Sequence, residues 1–388
     1  MKMNQELKKQ LIKYAKKIGI DKIGFTSADP FPELKEILIR HRELGYESGF
    51  EEKDLEKRTD PKLSLSDAKS MIAIAIAYPS KIETPPKSTK GEYRGFVSRS
   101  AWGIDYHLIL HKKLNHLGQF LKELVPSAEY VVMSDTGALS DHAVAERAGI
   151  GWIGKNSLLI TPEFGSYVYL GQIITNIFFP EDHPMENQCG DCTRCIDACP
   201  TQAIVNPYQV NAKQCLSFIT QRKDMLEEHW MEKLGNRIYG CDTCQIVCPK
   251  NKGINPIHQE LTLPNPELAK PLLKPLLTIS NKEFKQTWGQ TAAAWRGKKP
   301  LQRNAIIGLA HFKDESSLPL LKKILEEDER PMIRQTTAWA IGKIGGEKAK
   351  EILESAKFKE KDGKVFNQII KSLKSLANED ILDSPCKK

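Results

Sequence analysis

Eight of the nine cysteines in this 388-residue chain lie between Cys189 and Cys248, and their spacing restricts the chain more than any other feature. The run Cys189-x2-Cys192-x2-Cys195-x3-Cys199-Pro200 matches the bacterial ferredoxin pattern, in which three thiolates hold one cubane cluster and the fourth reaches a second. A shorter run, Cys241-x2-Cys244-x3-Cys248-Pro249, repeats the tail without a leading cysteine, and Cys215 stands alone between the two. Four, one and three make eight thiolates, enough for two [4Fe-4S] clusters. Under the crossover rule Cys189, Cys192 and Cys195 would share one cluster with Cys248, and Cys199 would join Cys215, Cys241 and Cys244 on the other. The competing reading is zinc, since two CxxC pairs can build a zinc ribbon. Against it, the first run crowds four thiolates too tightly for one tetrahedral ion. Cys386, beside Pro385 in a polar tail, falls outside both motifs and is read as a bystander.

Clustered thiols mean metal or redox chemistry only where disulfides do not form, so the compartment matters. The first twenty residues carry lysines on an amphipathic pattern, with Leu7, Leu11, Ile12, Tyr14, Ala15 and Ile18 on one side, which reads as a first helix and not an export signal. The expected location is therefore the reducing cytoplasm. Hydrophobic residues make up 40% and charged residues 27%, and no apolar run is long enough to span a bilayer, so a soluble globular protein without a membrane partner is expected. The formal net charge of +8 would attract a polyanion such as nucleic acid, although a plain basic surface explains the same number.

Upstream of the cysteines the pattern is mixed. Met71 to Tyr78 is apolar throughout, short and followed by Pro79, as in a strand buried on both faces. Lys81 to Glu92, rich in Pro, Lys, Thr and Ser, reads as an exposed loop. A strand at Tyr130 to Met133 runs into Ser134-Asp135-Thr136-Gly137, and Ser140 to Ala148 has helical spacing with Gly149 as its stop. Asp135 thus falls at a strand's C-terminal end, where open sheets place ligands. A carboxylate there also serves as a turn or helix cap. Ser157 to Ile160 and Tyr167 to Thr175 read as further strands.

Downstream, Pro300-Leu-Gln-Arg303-Asn-Ala305 recurs as Pro331-Met-Ile-Arg334-Gln-Thr336, and each copy continues into a second helix so that Leu318 and Leu321 align with Ala349 and Ile352. A period of about 30 residues with two helices per unit is the pattern of HEAT-like repeats. The fold class expected is α+β: an N-terminal α/β domain over 1–180, a bacterial ferredoxin-like two-cluster domain over 181–262, and all-α HEAT-like repeats over 263–388. Two clusters form a one-electron relay, so the N-terminal domain should hold a further cofactor or the substrate that receives the electrons.

The stretch Ser134-Asp-Thr-Gly-Ala-Leu-Ser-Asp-His-Ala-Val-Ala-Glu-Arg-Ala-Gly-Ile-Gly-Trp-Ile-Gly-Lys-Asn156, followed by these cysteines, resembles the epoxyqueuosine reductase family, and the resemblance runs over nearly the whole chain. That family is related to the reductive dehalogenases. The resemblance implies cobalamin with two [4Fe-4S] clusters, removal of the epoxide oxygen of epoxyqueuosine at the tRNA wobble position, and queuosine as product. It also implies an external low-potential electron donor, a tRNA anticodon stem-loop as partner, and a chain acting as a monomer. Asp135 becomes the proton donor, and burial beside a corrin face would raise its pKa toward that of a general acid.

Asp-x-His-x-x-Gly, the familiar cobalamin motif, is absent. Its nearest imitation, Asp105-Tyr-His107-Leu-Ile-Leu110, lacks the glycine, so His107 is not taken as a cobalt ligand. Matching motifs nominate Arg58, Ser98, Asp135, Ser217, Cys241 and Asp242 as cofactor contacts. For tRNA phosphates the nominees are Arg222 and Lys223 between the cluster motifs, with Arg296, Lys298, Lys299 and Arg303 at the start of the repeats. Trp295, Tyr239 and Phe218 are available for base stacking. The alternative function is a corrinoid reductase of the dehalogenase type acting on a small molecule, which has no need of a helical platform. A third reading, an electron carrier without catalysis, leaves the long N-terminal domain unexplained.

Overall fold

The computed structural model describes residues 2–135 and 137–382; Cys386 lies outside the described residues. The chain divides into two compact units, each assembled from separate stretches. One comprises Met1–Ile82, Arg99–Cys215 and Asp242–Pro264, and the other Glu83–Ser98, Leu216–Cys241 and Asn265–Lys388. This differs from the three consecutive domains expected. The cysteine segment does not close on itself, because its one-turn helices Arg194–Asp197 and Thr243–Ile246 bury no apolar side chain fully and cannot form a core of their own.

The first unit is built on a four-stranded sheet of β1 (Lys22–Ser27), β2 (Ser70–Ala77), β3 (Tyr130–Met133) and β4 (Val168–Thr175), in the order β1-β2-β4-β3. Every position of β2 is buried. Ile72, Ile74 and Ile76 join a core with Leu11 and Ala15 of α1 (Lys2–Lys17) and Leu110, Leu114 and Leu117 of α2 (Tyr106–Leu124). Met71, Ala73 and Ala75 join another with Val144 and Ala145 of α3 (Asp141–Arg147). Each large side chain so buried contributes about 1.5–3 kcal/mol. On β1, an added Cβ at Gly24 would stand 2.1 Å from the Ala148 carbonyl oxygen, so a glycine is what admits the end of α3 against the sheet.

All pairings in this sheet are antiparallel. The apolar run read as a strand buried on both faces is an antiparallel one with helices covering both faces. The rule that ligands gather at the strand ends of open parallel sheets therefore does not explain the position of Asp135.

The second unit carries α4 (Leu216–Gln221) and the repeat helices α5 (Lys298–His311), α6 (Leu318–Glu327), α7 (Pro331–Ile344), α8 (Glu347–Lys357) and α9 (Gly363–Leu382). The pairs α5/α6 and α7/α8 are the two copies of the repeat. Pro300 through Ala310 of α5 are all buried, including Arg303 and Asn304, so this helix is enclosed on every side and is no surface element.

Candidate active site

Asp135 leaves the end of β3 through Ser134 with φ of +49°, a left-handed conformation that aspartate tolerates better than most residues. Its backbone N–H donates to Asp141 Oδ2 at 2.5 Å, which ties the turn to the first residue of α3. The carboxylate side faces α2: Tyr106 Oη donates to Asp135 Oδ2 at 2.6 Å, and His107 Nε2 lies 3.1 Å from the same oxygen. The other ring nitrogen, Nδ1, lies 2.7 Å from Asp105 Oδ1, which also caps α2 by accepting the His107 backbone N–H. Tyr106 is held by stacking on Tyr169 at 4.9 Å between centroids, and Tyr169 stacks in turn on Tyr78 at 4.4 Å.

The electrostatics follow from these contacts. Although burial opposes its charge, hydrogen bonds to Asp105 and Asp135 raise the His107 pKa to about 9, so the ring is an imidazolium at neutral pH with a proton on each nitrogen. The hydrogen bond from His107 holds Asp135 below the ordinary carboxylate range, against burial and with help from Tyr106. The raised Asp135 pKa expected from sequence is therefore not found in this arrangement; 60% of its side chain is exposed, and it is the anionic half of an ion pair. Asp141 is the carboxyl that burial raises, to about 7, and its Oδ1 is buried without a hydrogen-bond partner among the described residues. Sequence reasoning missed Tyr106, Asp105 and Asp141 and set His107 aside; the one signal was Asp-Tyr-His at a helix start, where an N-cap aspartate can reach the residue two positions on.

None of the eight motif cysteines is in a disulfide among the described residues, and each is partly buried. Burial pushes Cys248 up, and the nearby Cys189 and Cys192 add to it; Cys195 is raised by burial and by Cys248 and Cys189. These four thiols thus lie close enough to repel one another as thiolates, across nearly sixty residues of sequence. Cys199, though buried, is lowered by backbone N–H groups, with Ala203 N donating to its sulfur at 3.3 Å.

The other nominated residues separate by accessibility. Arg58 is half-buried, burial lowers its pKa, and its guanidinium has no hydrogen-bond partner among the described residues. Ser98 is buried with its N–H donating to the Tyr239 carbonyl at 2.8 Å, and Ser217 is half-buried in α4. Asp242 does not offer its carboxylate to a cofactor: it is 1% exposed and paired with Arg99 at 2.9 Å. Arg303 is not a phosphate contact, being 0% exposed with its donors turned to backbone carbonyls. Arg222 is paired with Asp224 and Glu227, and Lys298 donates to the Ile279 carbonyl. Lys223 is exposed and Lys299 half-exposed, while Arg296 lies over the ring of Trp295, itself 51% exposed.

Family profiles match three parts of the chain: "Epoxyqueuosine reductase QueG, DUF1730" at 58–136, "4Fe-4S double cluster binding domain" at 188–251, and "HEAT repeats" at 291–379. With the paired acid–base groups, they define an iron–sulfur oxidoreductase that carries two [4Fe-4S] clusters and a helical-repeat domain. An epoxyqueuosine reductase of Bacillus anthracis is 56% identical over 375 residues, 97% of this chain and 99% of that protein, and the chain belongs to the epoxyqueuosine reductase family. That of Bacillus subtilis is 56% identical over 372 residues, covering 96% of each. Among solved structures, an epoxyqueuosine reductase crystallised with an epoxyqueuosine-modified tRNA-Tyr stem loop superposes with a TM-score of 0.94 at 56% identity, over 96% of this chain and 99% of that one. A Bacillus subtilis structure, described as having its catalytic aspartate loop swung out of the active site, gives 0.94 at 55% over the same shares.

Proposed function

We propose that this chain reduces epoxyqueuosine to queuosine at the wobble position of tRNA, with Asp135 delivering a proton to the departing epoxide oxygen and His107 recharging it. The observation that carries this reading is the Asp105–His107–Asp135 relay, in which a protonated imidazole stands 3.1 Å from the carboxylate of the family's motif. Removing the epoxide oxygen as water takes two electrons and two protons. When bound, cobalamin supplies a strongly reducing cobalt centre and the clusters supply electrons one at a time.

At rest Asp135 is ionised and the proton is on His107. A substrate covering the exposed carboxylate removes its water, which favours the neutral acid over the ion pair and moves the proton from Nε2 to Oδ2. Tyr106 orients the carboxylate during this transfer, and Asp105 holds the ring in place to accept the next proton from solvent. Both ring nitrogens of His107 face carboxylates, so its part here is to hold and pass a proton.

The residues fit the cofactors. Cys189, Cys192, Cys195 and Cys248 would hold one cluster, and Cys199, Cys215, Cys241 and Cys244 the other. Arg58, a half-buried guanidinium lacking a partner among the described residues, suits the phosphate of a cobalamin nucleotide tail, with Ser98, Ser217 and the Cys241–Asp242 backbone as further contacts. Lys223, Lys299 and the Arg296–Trp295 pair offer charge and a stacking surface to an anticodon stem-loop. The enzyme acts as a cytoplasmic monomer fed by an external low-potential donor; among the described residues no helix is long and apolar enough to cross a membrane.

The test is nucleoside mass spectrometry of an epoxyqueuosine-bearing stem-loop incubated with the anaerobically reconstituted chain, cobalamin and a low-potential reductant. Queuosine is the expected product. If epoxyqueuosine persists while both clusters and cobalamin are bound, the assignment of substrate fails.

A further inference from the structure

The buried Arg303 and its neighbour Asn304 have no part in phosphate binding, and their contacts all lead toward the second cysteine run. Arg303 Nη1 donates to the carbonyls of Arg222 at 2.7 Å and Asp224 at 3.1 Å, and Nη2 to those of Ile219 at 3.1 Å and Thr220 at 3.2 Å. These carbonyls end α4 and begin the turn after it, where a helix leaves oxygens unpaired and carries partial negative charge. Asn304 Oδ1 accepts from Arg303 Nε at 3.0 Å, and Asn304 Nδ2 donates to the carbonyls of Thr220 and Ile238, both at 2.8 Å. Thr220 Oγ1 then accepts the N–H of Gly240 at 2.9 Å.

The consequence is topological. Helix α4 begins at the residue after Cys215, and Gly240 is the residue before Cys241. One side-chain pair on a repeat helix therefore fixes both chain segments that carry these cysteines. The segment has no slack at Gly240, whose φ is +72° and where an added Cβ would lie 2.4 Å from that of Ser98. Lysine cannot replace the arginine here, since a point charge with three donors does not span four carbonyls as a planar fork of five does.

The repeat supplies its own control. Arg334, the matching position in the second copy, donates to Glu360 at 2.8 Å and 2.9 Å and to the Asp328 carbonyl at 2.8 Å, and among the described residues it bonds to no cysteine segment. We propose that Arg303 and Asn304 are positioning residues for the second [4Fe-4S] cluster, so that the repeat domain is a strut for electron transfer and not solely a platform for nucleic acid. This rests on the assignment of Cys215 and Cys241 to that cluster made above.

The experiment reconstitutes the full-length chain anaerobically as wild type, Arg303→Met, Arg303→Lys and Arg334→Met. It measures iron and sulfide per chain, the electron paramagnetic resonance of the reduced protein, and both cluster potentials. Arg303→Met is expected to lose about half of its iron and one of two cluster signals, the cluster held by Cys189, Cys192, Cys195 and Cys248 surviving. Arg334→Met keeps both. Should Arg303→Met not fold, Arg303→Lys decides, with a shift in one potential and none in the other. Unchanged clusters in Arg303→Lys and Arg303→Met, or equal loss of both clusters, overturns the inference. Wild type lacking inorganic sulfide would instead overturn the cluster assignment beneath it.

Discussion

Asp135 and Arg303 are both charged groups set against backbone, and they are held in opposite ways. Asp135 sits on a left-handed turn, 60% exposed, sharing a proton with His107 and Tyr106. Arg303 is sealed inside α5 with carbonyls and an amide oxygen as its partners, and although burial lowers its pKa to about 9 it stays charged at neutral pH. A group whose protonation must change is left where water and substrate can reach it. A group that must hold two segments in register is buried, because a desolvated guanidinium cannot leave its acceptors without a cost of several kcal/mol. The contrast sets a moving end, whose proton changes hands, against a fixed one that holds backbone, and it can be broken at either.

The largest effect is expected at the moving end. Asp135→Asn keeps the shape and removes the acid, so turnover should fall by about 10²-fold or more, the scale of a lost general acid. Cluster and cobalamin absorbance should stay as in wild type. Single-turnover kinetics under reducing conditions measure this, and a wild-type rate would remove Asp135 from the chemistry.

A smaller loss is expected at His107, where the carboxylate remains and its proton supply is lost. His107→Gln should slow turnover by about tenfold to a hundredfold and alter the alkaline limb of the pH profile. In wild type that limb should lie near 9, where the ring gives up its proton. The sign for stability is the same: the ring's pKa is raised on folding from 6.5 to about 9, so its contribution is complete below 6.5 and is lost as pH rises through about 9. Melting temperatures at pH 6, 8 and 9.5 should fall in wild type and stay flatter in the variant. Parallel curves would mean that the His107 pair contributes nothing to stability.

Sequence made the cysteines legible because cluster ligation imposes a spacing along the chain, and it made β2 and the repeat legible because periodic burial does the same. Asp135 could be singled out by its motif, but the relay around it could not. Asp135 and His107 are 28 residues apart, and only the packing of α2 against the sheet brings them together. The misplacement of Arg303 has a different cause. Exposure is not written in a repeat whose two arginines occupy matching positions, so Arg303 reads as a phosphate contact although 0% of it is exposed. Strand direction is likewise unwritten in β2, since parallel and antiparallel strands are both apolar throughout when helices cover both faces.

The smallest effect on turnover is expected at the turn that carries Asp135, where Asp141 accepts the Asp135 N–H at 2.5 Å. Burial raises the Asp141 pKa to about 7, opposed by that backbone hydrogen bond and assisted by the charge of Asp135. In the unfolded chain this carboxyl ionises in the ordinary range near 3.8, whereas in the folded protein it holds its proton until about 7. Stability should therefore decline as pH rises across that window and level off above it. Asp141→Asn keeps an oxygen for the N–H and removes the charge, so it should match wild type at pH 4 and exceed it by about 4 kcal/mol at pH 8, a shift of about three pKa units. Turnover should change by less than about threefold, since the acid and its proton supply are untouched. Denaturant melts at the two pH values measure the difference. If Asp141→Asn is the less stable protein at pH 8, the buried charge is worth more to the Asp135 turn than its desolvation costs.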